Sequence, residues 1–130
     1  MEDLVEWLRT QLDEDERIAR DAADELEGLE LGGEWRYDGR SVETARERTM
    51  VAVGSQDFME PGIGGYIAAH DPARVLREID AKRELLRQYE HLKHDVMPDD
   101  LTGVWALEAA LRAFALVYAH RPGYREEWRP

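Results

Sequence analysis

Four consecutive carboxylates, Asp13-Glu14-Asp15-Glu16, stand inside a helical repeat of apolar residues. On a helix Asp13 and Glu16 share one side, while Asp15 falls on the apolar stripe between Leu12 and Ala19. Carboxylates grouped this way hold Mg²⁺ or Mn²⁺ when residues of a facing helix complete an oxygen-rich shell. His70 and Asp71 are the natural facing partners. The competing reading is a solvated helix face, with Asp15 paired to an arginine such as Arg74 or Arg77, because an unpaired buried carboxylate is strongly disfavoured. That reading carries more weight, since structural ion pairs are common. His91 and His94 could share a cation across one helical turn, but no further ligands stand nearby for zinc. A histidine pair near a helix end, favoured by the helix dipole, is the simpler account. His70 likewise suits a half-buried, hydrogen-bonded place near a helix start.

Nucleophilic chemistry has little support. Ser41 and Ser55 sit in turn contexts without a G-x-S-x-G elbow, and the chain has no cysteine. The glycines from Gly54 to Gly65 match neither G-x-x-x-x-G-K-[ST] nor G-x-G-x-x-G. No catalytic residue, metal or cofactor is therefore assigned. A divalent-metal-dependent hydrolase of a phosphorylated small molecule, using Asp13, Asp15 or Glu16 with His70 and Asp71, is the alternative function.

The elements that must position these residues follow from periodicity. The fold class is α+β and mainly α: three long helices in a bundle, with a small antiparallel β meander between the first two. One domain spans residues 1–130, a usual domain size. The first helix covers about 2–27, where Leu4, Leu8, Leu12, Ala19, Ala22 and Leu26 recur at helical spacing and Gly28 ends it. The meander covers about 34–54. Asp38-Gly39 is suited to a two-residue hairpin turn, and Thr49 to Val53 reads as a third strand. A helix over 41–53 stays open, because Val42, Ala45, Thr49 and Val53 also keep a helical spacing. Pro61, Gly62, Gly64 and Gly65 mark 55–65 as loop. Tyr66 to His70 is a short helical turn. The second helix, about 71–94, starts on Asp71-Pro72, a cap followed by proline at the first helical position. Pro98 lies beyond it, and the third helix, about 99–120, begins at Asp99 or Asp100. Its stripe is Val104, Leu107, Leu111, Phe114 and Tyr118, thickened by Leu101, Trp105 and Ala110.

The net charge is −12. Nucleic-acid and anionic-lipid binding depend on Lys and Arg, so no direct nucleic-acid or membrane contact is expected. The acidic start and the absence of a long apolar run give neither a secretory signal nor a membrane span. A soluble, cytoplasmic protein is expected. Most of the tryptophans should be core. Rings at so polar a tail, 121–130, suggest docking onto the body or onto a partner, and Trp128 is the exception to a core role, standing with Tyr124, Arg125 and Arg129, residue types favoured at partner surfaces. A protein partner is therefore expected. Broad apolar faces on 104–118 and 75–92 exceed what a small bundle covers, which makes a homodimer possible.

Three stretches, Leu4-Val5-Glu6-Trp7-Leu8-Arg9 continuing into the acidic run, Ile67-Ala68-Ala69-His70-Asp71-Pro72-Ala73-Arg74-Val75-Leu76, and His120-Arg121-Pro122-Gly123-Tyr124-Arg125-Glu126-Glu127-Trp128, resemble a family of small uncharacterised proteins of actinobacteria and their phages, classed as a domain of unknown function. The resemblance implies an intracellular protein of phage or mobile-element origin and carries over no activity. A histidine often stands in that pattern where this chain has Tyr66, which lowers the weight of a metal role for His70. The function expected is a non-enzymatic, acidic protein-interaction module, an accessory protein of a phage or mobile element.

Overall fold

A computed structural model describes residues 1–95 and 101–130. The chain is mainly helical, with five helices among the described residues rather than three, and one three-stranded antiparallel sheet. Helices α1 (Glu2–Glu25), α4 (Pro72–Asp95) and α5 (Thr102–Leu116) are long; α2 (Leu29–Gly32) and α3 (Pro61–Ala69) are short. The strands are β1 (Trp35–Tyr37), β2 (Ser41–Thr44) and β3 (Met50–Val53). Two compact units form, one from residues 1–14 with 79–130, the other from 15–78.

In the unit of residues 15–78, α1 ends two residues before the expected boundary. Glu27 and Gly28 take positive φ, and the Gly28 N–H donates to the Ala23 carbonyl, a left-handed helix stop. The hairpin turn sits one residue later than Asp38-Gly39. The Asp38 carboxylate accepts from the backbone N–H groups of Arg40 and Ser41, and its own N–H donates to the Ser41 carbonyl. Gly39 and Arg40 therefore become the central residues, with Gly39 at φ +100. These backbone donors hold the Asp38 carboxyl below the ordinary carboxylate range. Residues 41–44 and 50–53 form strands joined by a turn, not a helix. β2 is central, with Ser41, Val42 and Thr44 buried; it pairs with β1 in regular register and with β3 with a bulge at Val42/Glu43.

The expected loop at 55–65 holds a 3-10 turn, Ser55–Asp57, and most of α3. Pro61 starts that helix from its first position. α3 packs on β1 and β2, supplying the cover that so small a sheet requires. Its glycine content has a reason in this packing. A Cβ at Gly64 would lie 2.3 Å from Cδ2 of Tyr37, whose hydroxyl donates to the Met59 carbonyl at 2.7 Å.

In the unit of residues 1–14 and 79–130, Leu4, Leu8 and Leu12 of α1 are buried along with Ile79, Leu86 and Tyr89 of α4. Val104, Leu111 and Ala115 supply the buried side of α5. Leu8, Leu12, Leu86, Leu111 and Phe114 line one small apolar void, which places the three helices around a shared core. The expected start at Asp99 or Asp100, and Pro98, lie outside the described residues. α5 ends at Leu116 rather than near 120: Val117, Tyr118 and Ala119 donate three residues back instead of four, tightening the chain out of α-geometry.

Tyr89 is the most constrained polar group of this core. Only 2% of it is exposed, and its hydroxyl donates to Glu108 at 3.0 Å. Burial, then that hydrogen bond and the Glu108 charge, push the phenol up to about 12 from its ordinary value near 10. The neutral phenol is favoured by folding, so its contribution is complete below pH 10 and lost as pH rises through 12. That amounts to about 2–3 kcal/mol. Urea unfolding at intervals from pH 9 to 12 should show the decline in the wild type and a shallower one in Tyr89→Phe. Equal pH dependence would exclude a buried, neutral phenol.

Candidate interaction surface

The polar residues that suggested chemistry are occupied by the fold. Asp71 is only partly exposed. One of its carboxylate oxygens accepts from the Arg74 N–H at 2.8 Å, capping α4, and the other from the Trp35 N–H at 3.0 Å. It ties β1 to the helix start, reinforced by the Ala73 N–H donating to the Gly33 carbonyl. His70 is exposed rather than half-buried and closes the end of α3 instead of opening a helix. Its ring stacks on Tyr66, and its Nδ1 lies 2.8 Å from the Tyr66 carbonyl. Arg74 pairs with Glu78 at 3.0 Å and donates to the Ala69 carbonyl. Asp13 pairs with Arg83 at 2.8 Å, and Glu16 with Arg20 at 3.0 Å. Asp15 is half-buried. His91 pairs with Asp95 rather than with His94. Among the described residues no group of three or more His, Asp or Glu side chains is arranged to hold a metal ion.

The aromatic tail is likewise built into its unit. Trp128 is 5% exposed, with its ring 5.4 Å from Trp7 and 5.9 Å from Tyr124. The Trp7 indole N–H donates to the Pro122 carbonyl at 3.0 Å. Gly123, at φ +89, leaves that indole its space, since a Cβ there would lie 2.7 Å from Nε1. Arg125 pairs with Asp3 at 3.0 Å and lies over the Trp128 ring, while Arg129 pairs with Glu126. Tyr124 is half-buried in this cluster. Trp128, expected to face a partner, is a core residue.

Trp105, expected in the core stripe, is 63% exposed. It belongs to a second apolar face of α5, opposite Val104, Leu111 and Ala115. Trp105, Ala109, Ala113 and Leu116 repeat at intervals of four, four and three, with Ala106 and Val117 alongside; all six are exposed. Helix α5 carries only two charged residues, Glu108 and Arg112, both half-buried and both on one edge of this face. The outward sides of α1 and α4 are instead polar, with Glu6, Asp13, Arg87 and His91 among their exposed residues. Helices apolar around their whole circumference are normally covered on every side.

A model of a family of unknown function, DUF6221, matches residues 1–130. The chain belongs to this family. No curated protein and no solved structure matches it. In this DUF6221 member the outward face of α5 is one departure from an ordinary acidic surface. The sequence does carry a signal for it: on the side away from Val104 and Leu111, helix α5 has Trp105, Ala106, Ala109, Ala113 and Leu116 and no charged residue. The surplus predicted for 75–92 is absent, because Ile79, Leu86 and Tyr89 are buried and Val75, Leu76 and Leu92 half-buried.

Proposed function

We propose that this DUF6221 protein is a non-enzymatic, acidic protein-interaction module whose contact surface is the outward face of α5. The observation that carries the reading is a contiguous uncharged face, which includes the 63%-exposed Trp105, on a chain of net charge −12. Soluble proteins rarely leave such a patch open unless something binds there. Tryptophan is also among the residues that contact surfaces favour. No described helix is long and apolar enough to cross a membrane, so a bilayer-spanning role does not account for the apolar surface of α5. Lack of cysteine fits a cytoplasmic setting, and the sequence motifs suit an accessory protein of a phage or mobile element.

The test replaces the face without touching the core. Trp105→Glu combined with Leu116→Glu should leave the unfolding free energy within about 1 kcal/mol of wild type, as exposed substitutions do. Affinity capture from bacterial lysate on immobilised full chain should then lose, in the double variant, whatever the wild type retains. An unchanged set of retained proteins from a chain that is itself monomeric, or a variant destabilised by several kcal/mol, would overturn the assignment of this face to binding.

A further inference from the structure

Resting on that reading, we infer that the occupant of the α5 face is a second copy of this chain, docked antiparallel about a two-fold axis near Ala110. A closed homodimer uses one patch twice, so the patch must complement itself. This face does so in both shape and charge. Antiparallel pairing about Ala110 brings Trp105 of one copy level with the gap between Ala113 and Leu116 of the other, a large ring over a small residue. Ala109 at the centre lets the two backbones approach closely.

The two charges of α5 stand symmetrically about the same point, Glu108 two residues before it and Arg112 two after. They share one edge of the face, and a two-fold axis brings like edges together. Glu108 of each copy therefore meets Arg112 of the other. Glu108 already accepts from the Tyr89 hydroxyl, and Arg112 donates to the Glu127 carbonyl at 3.3 Å, so both are held at that edge.

Charge also argues for a copy over a basic partner. A surface evolved for a cation would place carboxylates in the contact, whereas none lies within this face. A patch of the size typical of the largest on a monomer, on the order of 500 Å², doubles to about 1,000 Å² in a symmetric pair, the lower bound for a specific interface.

The experiment is sedimentation equilibrium of the purified full chain across a concentration series at low and high salt. A dimer is expected whose dissociation constant falls as salt rises, because screening relieves repulsion between two copies of charge −12. Ala109→Lys, at the centre of the face, should weaken it at least tenfold. Arg112→Glu should weaken it too, and the exchange E108R with R112E should restore it. If that exchange fails to fold because Tyr89 loses its acceptor, Ala109→Lys still decides. A dimer indifferent to Ala109→Lys would overturn this interface. A monomer that captures another, basic protein through Trp105, with binding weakened by salt, would overturn the second copy and leave the interaction module standing. A monomer without a Trp105-dependent partner would overturn both.

Discussion

Trp128→Ala should destabilise the protein by about 3–5 kcal/mol, the cost of removing a buried aromatic side chain. The ring is 5% exposed and touches Trp7 and Tyr124, and Arg125 lies over it. Its loss opens a cavity and removes the packing that holds Tyr124 and Pro122 against Trp7. Against a total stability of roughly 5–15 kcal/mol, that is a large fraction. The thermal midpoint should fall on the order of 10 °C or more. Arg129→Ala supplies the contrast. Its ion pair with Glu126 is exposed and local, and such pairs contribute roughly 0–1 kcal/mol. Differential scanning calorimetry on both variants separates a structural tail from a partner-binding one. Equal midpoints for Trp128→Ala and wild type would remove Trp128 from the core.

Substituting the glycines of α3 by alanine should give effects of opposite sign. Gly64→Ala should destabilise by about 1–3 kcal/mol, the usual cost of overpacking. Its new Cβ would lie 2.3, 2.5 and 2.9 Å from three ring atoms of Tyr37, and the ring is fixed at its far end by the hydrogen bond to Met59. Gly62→Ala and Gly65→Ala meet nothing within 4 Å. Both should stabilise by roughly 0.5–1 kcal/mol, because alanine is the better helix former and leaves the unfolded chain less freedom. Chemical denaturation of the three variants checks the pattern. Stabilisation by all three would mean that Tyr37 does not press on α3.

These glycines also show where the sequence misleads. Three glycines in four residues weigh against a helix by about 1 kcal/mol each, so a loop is the natural reading of 61–65. The helix forms because Pro61 starts it and it packs on β1 and β2, and Gly64 is required in it because Tyr37, distant in sequence, leaves no room there for a side chain. Local signals did better where they act locally. Gly28 stops α1, and Asp71-Pro72 opens α4, because a cap and a fixed φ work within a few residues. The capping role of Asp71 was legible for that reason. Its second bond, to the Trp35 N–H, spans 36 positions and left no trace in spacing.

The exchange of Trp105 and Trp128 between core and surface has a different cause. A helical repeat identifies an apolar face but does not choose between two of them. On α5 both sides qualify, and the small residues Ala109 and Ala113 hide the outer one from a reading that weights large side chains. Trp128 misleads because its neighbours Arg125, Glu126, Glu127 and Arg129 make the segment look solvated, although they pair among themselves or with Asp3.

The division of the chain also sets an order of events during synthesis. Residues 15–78 are contiguous, so their sheet and α3 can close as the ribosome delivers them. Trp7 and Leu8 are made first, yet Leu111, Phe114, Tyr118 and Trp128 beside them are made last. The opening turns of α1 therefore wait, greasy and unshielded, through most of translation, and that interval is when a chaperone has most to offer this protein.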